Sequence, residues 1–116
     1  MNKNLSQITP FIIQNHIDNG HINISDIGNT IQFTCDPWEH IRTTQHATLF
    51  INSNAVASMQ LISYKDRLAS PPIFSLATAN HFQSGQGYEI YIEVVEPDGS
   101  DNPNKSRSQS LFISIS

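Results

Sequence analysis

The chain has 116 residues, enough for one domain with a single buried core and too few for two ordinary domains. It carries 6 basic and 10 acidic residues, for a formal net charge of −4, and the basic residues form no cluster. This argues against binding to a nucleic-acid backbone or to an anionic membrane. The longest apolar runs are about four residues, against the roughly 20 that a spanning helix needs, so we expect no membrane insertion.

The first residues lack the apolar central region and the small-residue cleavage site of a secretory signal. The compartment therefore stays open between the cytoplasm, export by a non-Sec route, and a fragment of a surface protein. Only one cysteine is present, Cys35, so no internal disulfide can form and the fold must be stabilised by packing. The charged fraction is low, 14%, and the composition favours strands over helices.

The N-terminal part of the chain is polar except for one apolar segment. We predict that residues 1–16 form a tail, in which residues 11–13 are a candidate edge strand because Pro10 is tolerated at the start of such a strand. The domain itself is expected to cover residues 17–116. A turn-rich stretch opens it, with Asn19-Gly20 as the strongest turn signal.

The middle of the chain alternates apolar and polar residues, as expected for strands with one buried face. Strands are predicted at 29–35, 45–52 and 58–64, with a Pro37-containing loop after the first and a turn at 52–55 after the second. Their predicted core-facing residues are Ile31, Phe33, Cys35, Ala47, Leu49, Ile51, Met59 and Leu61.

The last third of the chain is organised around a long hairpin. A short strand at 73–76 and one helical turn within 77–83 precede it, and its strands are predicted at 87–96 and 107–116. The core-facing residues of the hairpin are predicted to be Tyr88, Ile90, Ile92, Val94, Leu111, Ile113 and Ile115. Counting the edge strand, this makes about seven short strands joined by turns, the pattern of an antiparallel β-sandwich.

Three segments of the chain follow one another in the same order as the segments of one known protein family. They are the opening stretch 18–31, the Asp36-Pro37-Trp38 turn with strand 43–52, and the stretch 72–76 followed by the closing strands 88–95 and 106–115. From about residue 17 to its end, the chain resembles the bacterial Ig-like repeat modules of large surface and adhesin-type proteins. The resemblance implies an all-β fold, an Ig-like antiparallel β-sandwich of about seven strands, and an adhesion-type interaction role.

Signatures of catalysis and of metal binding are missing from the sequence. There is no Gly-x-Ser-x-Gly elbow, and Gly85-Gln86-Gly87 precedes a strand where a phosphate cradle would precede a helix. The loop 98–104 is rich in oxygen ligands but lacks the spacing of an EF-hand. Five histidines fit no compact ligand motif: His16, His21, His40, His46 and His81. We therefore expect no enzyme activity, no metal site and no cofactor. One alternative stays open, a metal-binding cluster of two histidines and a carboxylate that only the fold brings together.

One face of the hairpin is unexpectedly aromatic. In an Ig-like sandwich, strands 45–52, 87–96 and 107–116 would lie side by side in one sheet. Because a solvent-facing sheet should be polar, aromatic residues on its outer face predict a covered surface. The residues predicted to bind a partner there are Phe50, Tyr91, Val95 and Phe112, with Glu89 and Glu93 on either side of Tyr91.

Three kinds of cover could occupy this face: residues 11–13 or a loop of the same chain, a protein partner or second copy, or a sugar. We predict a non-enzymatic module that binds a protein partner or itself. The alternative is a lectin-like, carbohydrate-binding sandwich, whose stacking residues would be Trp38, Tyr64 or Tyr91. Its candidate ligand loop consists of Asp36, Trp38, His40 and Tyr64. Trp38 can also be interpreted as a plug at the end of the sandwich.

Overall fold

The computed structural model describes residues 4–13, 20–39, 41–61, 70–96 and 104–116. Within them the chain forms strands and three short helical turns. The strands are β1 (Phe11–Ile12), β2 (Gly20–Ile22), β3 (Thr30–Thr34), β4 (His46–Ile51), β5 (Asn54–Gln60), β6 (Phe74–Ala77), β7 (Gly87–Glu96), β8 (Asn104–Arg107) and β9 (Leu111–Ile115). The helical turns are two 3₁₀ turns, Leu5–Gln7 and Ile24–Asp26, and one α-helical turn, α1 (Thr78–His81).

The strands form two sheets, which confirms the predicted all-β sandwich. The smaller sheet has the order β1-β3-β6 and the larger sheet the order β2-β9-β7-β4-β5, with β8 also paired to β7. All recorded pairs are antiparallel except β2 with β9, which is parallel. The strands predicted to lie side by side, β4, β7 and β9, are neighbours with β7 in the centre. This division matches the immunoglobulin arrangement, in which strands B and E share one sheet and strands C, F and G share the other. Here β3 and β6 take the places of B and E, and β4, β7 and β9 take the places of C, F and G.

The core lies between the sheets and follows the period-2 pattern of the sequence. In β7, for example, Ile90, Ile92 and Val94 are buried on the core side, while on the opposite face Glu89 and Glu93 are half-buried and only Tyr91 is buried. The other predicted core residues are buried as well, except Tyr88 and Met59, which are half-buried. Full burial of an isoleucine, leucine or phenylalanine side chain of this core stabilises the fold by about 1.5–3 kcal/mol.

The N-terminal segment is part of this core. β1 is an edge strand of the smaller sheet, where Phe11 pairs with Thr34 and Ile12 with Phe33. Leu5, Ile8 and Ile12 are buried, so residues 4–13 of the predicted tail pack against the sandwich. The idea that residues 11–13 cover the aromatic face of the hairpin is wrong, because this segment pairs in the other sheet.

Two corners of the chain are fixed by local chemistry. Asn52 and Ser53 join β4 to β5 with φ angles of 49° and 68°, as a two-residue type I′ turn requires. At the start of β7, the Tyr88 hydroxyl accepts a hydrogen bond from the backbone N–H of Gln83 at 2.8 Å. The predicted helical turn in 77–83 is α1, and this tyrosine contact after it resembles the tyrosine corner of immunoglobulin-type sandwiches.

A β-bulge divides the last predicted strand into β8 and β9. Glu93 pairs with Arg107 and Ile90 pairs with Leu111, so residues 108–110 lie opposite only two residues of β7. The extra residue reverses the side-chain alternation between the two halves. As a result, Arg107 and Phe112 point to the same, outer side of the larger sheet.

Candidate protein-interaction surface

The outer sheet face is defined here as the solvent side of β4, β7, β8 and β9. The register places Phe50 opposite Tyr91, Glu93 opposite Arg107, and Phe112 opposite Glu89. Because side chains alternate along β7, Val95 lies on the same side as Tyr91. The structure therefore brings all six predicted partner-binding residues to the outer sheet face.

Tyr91 lies at the centre of this face but is only 6% exposed. Its ring stacks on that of Phe50, with centroids 4.9 Å apart and planes 6° from parallel. The guanidinium of Arg107 lies over the Tyr91 ring, 3.6 Å from its centroid, in a cation–π arrangement. The expectation that Tyr91 offers a stacking surface is therefore wrong, because Phe50 and Arg107 already occupy its surroundings.

Arg107 is a residue of this face that the sequence argument missed. In an uninterrupted strand, residue 107 would share the core face with Leu111 and Ile113, where an unpaired guanidinium is unfavourable. That conflict was the available signal for a bulge. Arg107 also lies 3.7 Å from a carboxylate oxygen of Glu89, which accepts a further hydrogen bond from the Ser110 hydroxyl at 2.7 Å. These contacts hold the arginine in place, although an exposed ion pair adds little stability.

Phe112 is the exposed apolar side chain of the outer sheet face. It is 59% exposed, and the other large apolar side chain that is more than half exposed in the described residues, Ile73 at 54%, precedes β6 of the other sheet. Beside Phe112 runs a shallow groove of about 480 Å³, floored partly by Gly20 and Gly87, which have no side chains. His21 and Ser114 line the same groove and are hydrogen-bonded at 2.9 Å.

The predicted ligand loop gives a different result. Trp38 is only 3% exposed and its indole N–H donates to the side-chain oxygen of Gln45 at 3.2 Å, which agrees with the plug interpretation. Asp36 is exposed, whereas His40 and Tyr64 lie outside the described residues. The described part of this loop thus offers no exposed aromatic ring for a sugar to stack on.

A cleft of about 650 Å³ lies at this end of the sandwich, between the N-terminal turn, the 38–45 loop and β8. Its walls carry both charges, since Arg42 pairs with Glu96 at 3.3 Å and Lys105 lies on the rim. The Thr44 hydroxyl donates to the same Glu96 carboxylate at 2.8 Å. These contacts anchor the loop to the end of β7.

Cys35 is buried, and its burial, together with the nearby Asp36 carboxylate, raises the pKa of the thiol to about 12. The thiol is therefore protonated at neutral pH and is a poor nucleophile.

Among the described residues, no group of three or more His, Cys, Asp or Glu side chains could hold a metal ion. In the same residues, no helix is long and apolar enough to cross a membrane.

Comparisons with protein-family models, curated proteins and solved structures found no match to this chain. The resemblance to bacterial Ig-like repeat modules therefore stays a prediction. The assignment of the fold depends on the sheet order and on the core, and any assignment of function must depend on the chemistry of the surfaces described above.

Proposed function

We propose that this protein is a non-enzymatic interaction module that binds a protein partner through the outer sheet face, with Phe112 as the main apolar contact. One observation carries the proposal: Phe112 is 59% exposed on a sheet face that also holds an ordered aromatic–arginine stack. Phe112 and Tyr91 are diagonal neighbours across β9 and β7, at a spacing of about 7–8 Å. A partner that covers Phe112 would therefore also reach Arg107.

The composition of this patch fits a protein better than a sugar. Aromatic residues and arginine are enriched at the centre of protein interfaces, where they contribute most of the binding energy. Because Phe112 is 59% exposed, complete burial of its ring would contribute about 1–2 kcal/mol to binding. Arg107 is already held by Tyr91 and Glu89, so binding would cost little of its side-chain entropy.

The carbohydrate alternative is less well supported. Two of its three proposed stacking residues, Trp38 and Tyr91, are buried, and the third, Tyr64, lies outside the described residues. A sugar needs an exposed aromatic face with hydroxyl-binding groups around it.

An adhesion-type role, as the resemblance implies, would make the protein partner a molecule on a cell surface or a neighbouring module.

Site-specific photo-crosslinking tests the proposal. A photoreactive phenylalanine analogue is introduced in place of Phe112 in one protein and in place of Ile73 in another, and both are irradiated in the source cells. We expect position 112 to give discrete adducts with a protein, and position 73 to give none of them. Excess unlabelled wild-type protein should compete with these adducts, and Phe112→Ser protein should not.

Two results would contradict the proposal. One is the same adduct pattern at both positions, and the other is equal competition by wild-type and Phe112→Ser protein. Ile73 is the matched control because it is similarly exposed but belongs to the segment before β6 in the other sheet. Circular dichroism of each variant confirms that the comparison is between folded proteins.

A further inference from the structure

The edge strand β5 has the features of a strand that pairs with a second copy of itself. It is seven residues long, from Asn54 to Gln60, and forms one edge of the larger sheet. Among the described residues, no strand other than β4 pairs with it. Natural edge strands are usually protected by charges, prolines or short length, and β5 has neither a charge nor a proline.

The hydrogen-bonding groups that face outward can be identified from the register. Leu61 N–H donates to Gln45 C=O at 3.0 Å, and Met59 lies opposite Ala47, so Leu61, Met59 and Ala57 direct their backbone groups toward β4. In an antiparallel pair these groups alternate in direction along the strand. The backbone N–H and C=O of Ser58 and Gln60 therefore point away from the sheet, to its open edge.

We infer that two copies of this chain associate by antiparallel β5–β5 pairing about a two-fold axis at Met59. In this register, Ser58 of each copy lies opposite Gln60 of the other. Each of the two pairs exchanges two backbone hydrogen bonds, so the outward groups of both residues are satisfied. The bulge in the β4–β5 pairing, near Ala55 to Ala57, lies to one side of this segment and does not interrupt it.

Charge and burial both favour this partner. A symmetric antiparallel pair places a strand opposite itself, so any charge near the axis would face a like charge; β5 has none, although the whole chain carries −4. On the core side, Ala57 and Met59 pack against the core but stay half-buried, because the sheet ends there. Met59 of a second copy would lie directly beside Met59 and extend the core across the join.

Two double variants with opposite effects test the pairing by sedimentation equilibrium. In S58K/Q60K, each pair across the axis would bring two lysines together, whereas S58E/Q60K would bring a glutamate opposite a lysine. Both variants remove the same Gln60 side-chain contact to the Thr43 carbonyl. We expect the wild type to form a concentration-dependent dimer. The dissociation constant of the S58K/Q60K dimer should be at least about tenfold higher than that of the S58E/Q60K dimer, and S58E/Q60K should dimerise as tightly as the wild type.

Amide hydrogen exchange gives a second measurement that does not depend on any variant. Protection of the Ser58 and Gln60 amides in the wild-type protein should rise with protein concentration. A wild-type protein that stays monomeric at millimolar concentration would overturn the inference. So would equal dissociation constants for the two double variants, or a dimer in which these amides gain no protection. Phe112→Ser should leave this dimer unchanged, so the result is independent of the proposed function.

Discussion

Ser108 is the side chain on which the bulge between β8 and β9 depends. It is 4% exposed, and its hydroxyl oxygen accepts a hydrogen bond from the Ile92 N–H at 2.9 Å. The same hydroxyl donates to the Gln109 carbonyl at 2.9 Å, and the Ser108 N–H donates to the Ile92 carbonyl at 2.8 Å. A side-chain oxygen thus replaces the backbone acceptor that an uninterrupted strand would supply.

The magnitude of its contribution follows from what Ser108→Ala leaves behind. Ile92 is fully buried, so its N–H would lose its partner in a place that water does not reach. A buried donor without a partner costs about 1–3 kcal/mol. For a chain of this size, that corresponds to a fall in Tm of roughly 4 °C for each kcal/mol.

Urea unfolding followed by circular dichroism measures this loss. Ser108→Thr keeps the hydroxyl and should retain most of the stability. Ser114→Ala is the matched control, because this serine is exposed and its hydroxyl is hydrogen-bonded to another exposed side chain, His21; we expect a change within about 0.5 kcal/mol. If Ser108→Ala loses no more stability than Ser114→Ala, the hydroxyl is not the needed partner of Ile92 and this account of the bulge fails.

Two further predictions concern Cys35 and Tyr88. In the folded protein, the pKa of the Cys35 thiol is raised from 9.0 to about 12. The stabilisation from this protonated thiol is therefore fully present below about pH 9. It is lost as the pH rises toward 12, because only the unfolded chain releases the proton in that range. Urea unfolding should show wild type losing about 1.4 kcal/mol per pH unit more than Cys35→Ala in this range, and parallel pH profiles would contradict it. Tyr88→Phe removes the acceptor of the exposed Gln83 N–H and should cost about 0.5–1.5 kcal/mol; an unchanged Tm would show that the corner needs no hydroxyl.

The neighbours of β7 were predicted from the strand order of an Ig-like sandwich, and the alternation of side chains was enough to predict the core. Local patterns are decisive there, because a one-residue slip in β4 or β7 would expose an entire apolar face. The turn at Asn52 and Ser53 was predictable for a similar reason, since asparagine tolerates the positive φ that the turn needs. The core pattern and this turn depend on residues that are close together in the sequence.

The missed features depend on contacts between distant parts of the chain. The parallel pairing of β2 with β9 joins a three-residue strand to the end of the chain, and too few side chains alternate there to reveal it. β5 begins at Asn54, whereas the predicted strand began at residue 58, because its first residues face the bulge and show no regular pattern. Arg107 covers the Tyr91 ring because the bulge turns Arg107 outward, which strict alternation does not predict.

The two proposed surfaces can be occupied together, because one is the face and the other the edge of the same sheet. A two-fold axis that pairs β5 with β5 runs perpendicular to the sheet, so both outer sheet faces would point to the same side. From one β9 to the other there are seven inter-strand steps in the order β9-β7-β4-β5 and its symmetry mate, about 34 Å at roughly 4.8 Å each. Phe112 is also displaced along the strands by about five residues from the two-fold axis, because it is level with Asn52 of β4 whereas Met59 is level with Ala47. The two Phe112 side chains would therefore be roughly 48 Å apart, and they would make the dimer bivalent toward a partner with repeated sites. On this basis, S58K/Q60K should weaken binding to an immobilised, multivalent partner while leaving the affinity for a single soluble partner unchanged, whereas Phe112→Ser should weaken both.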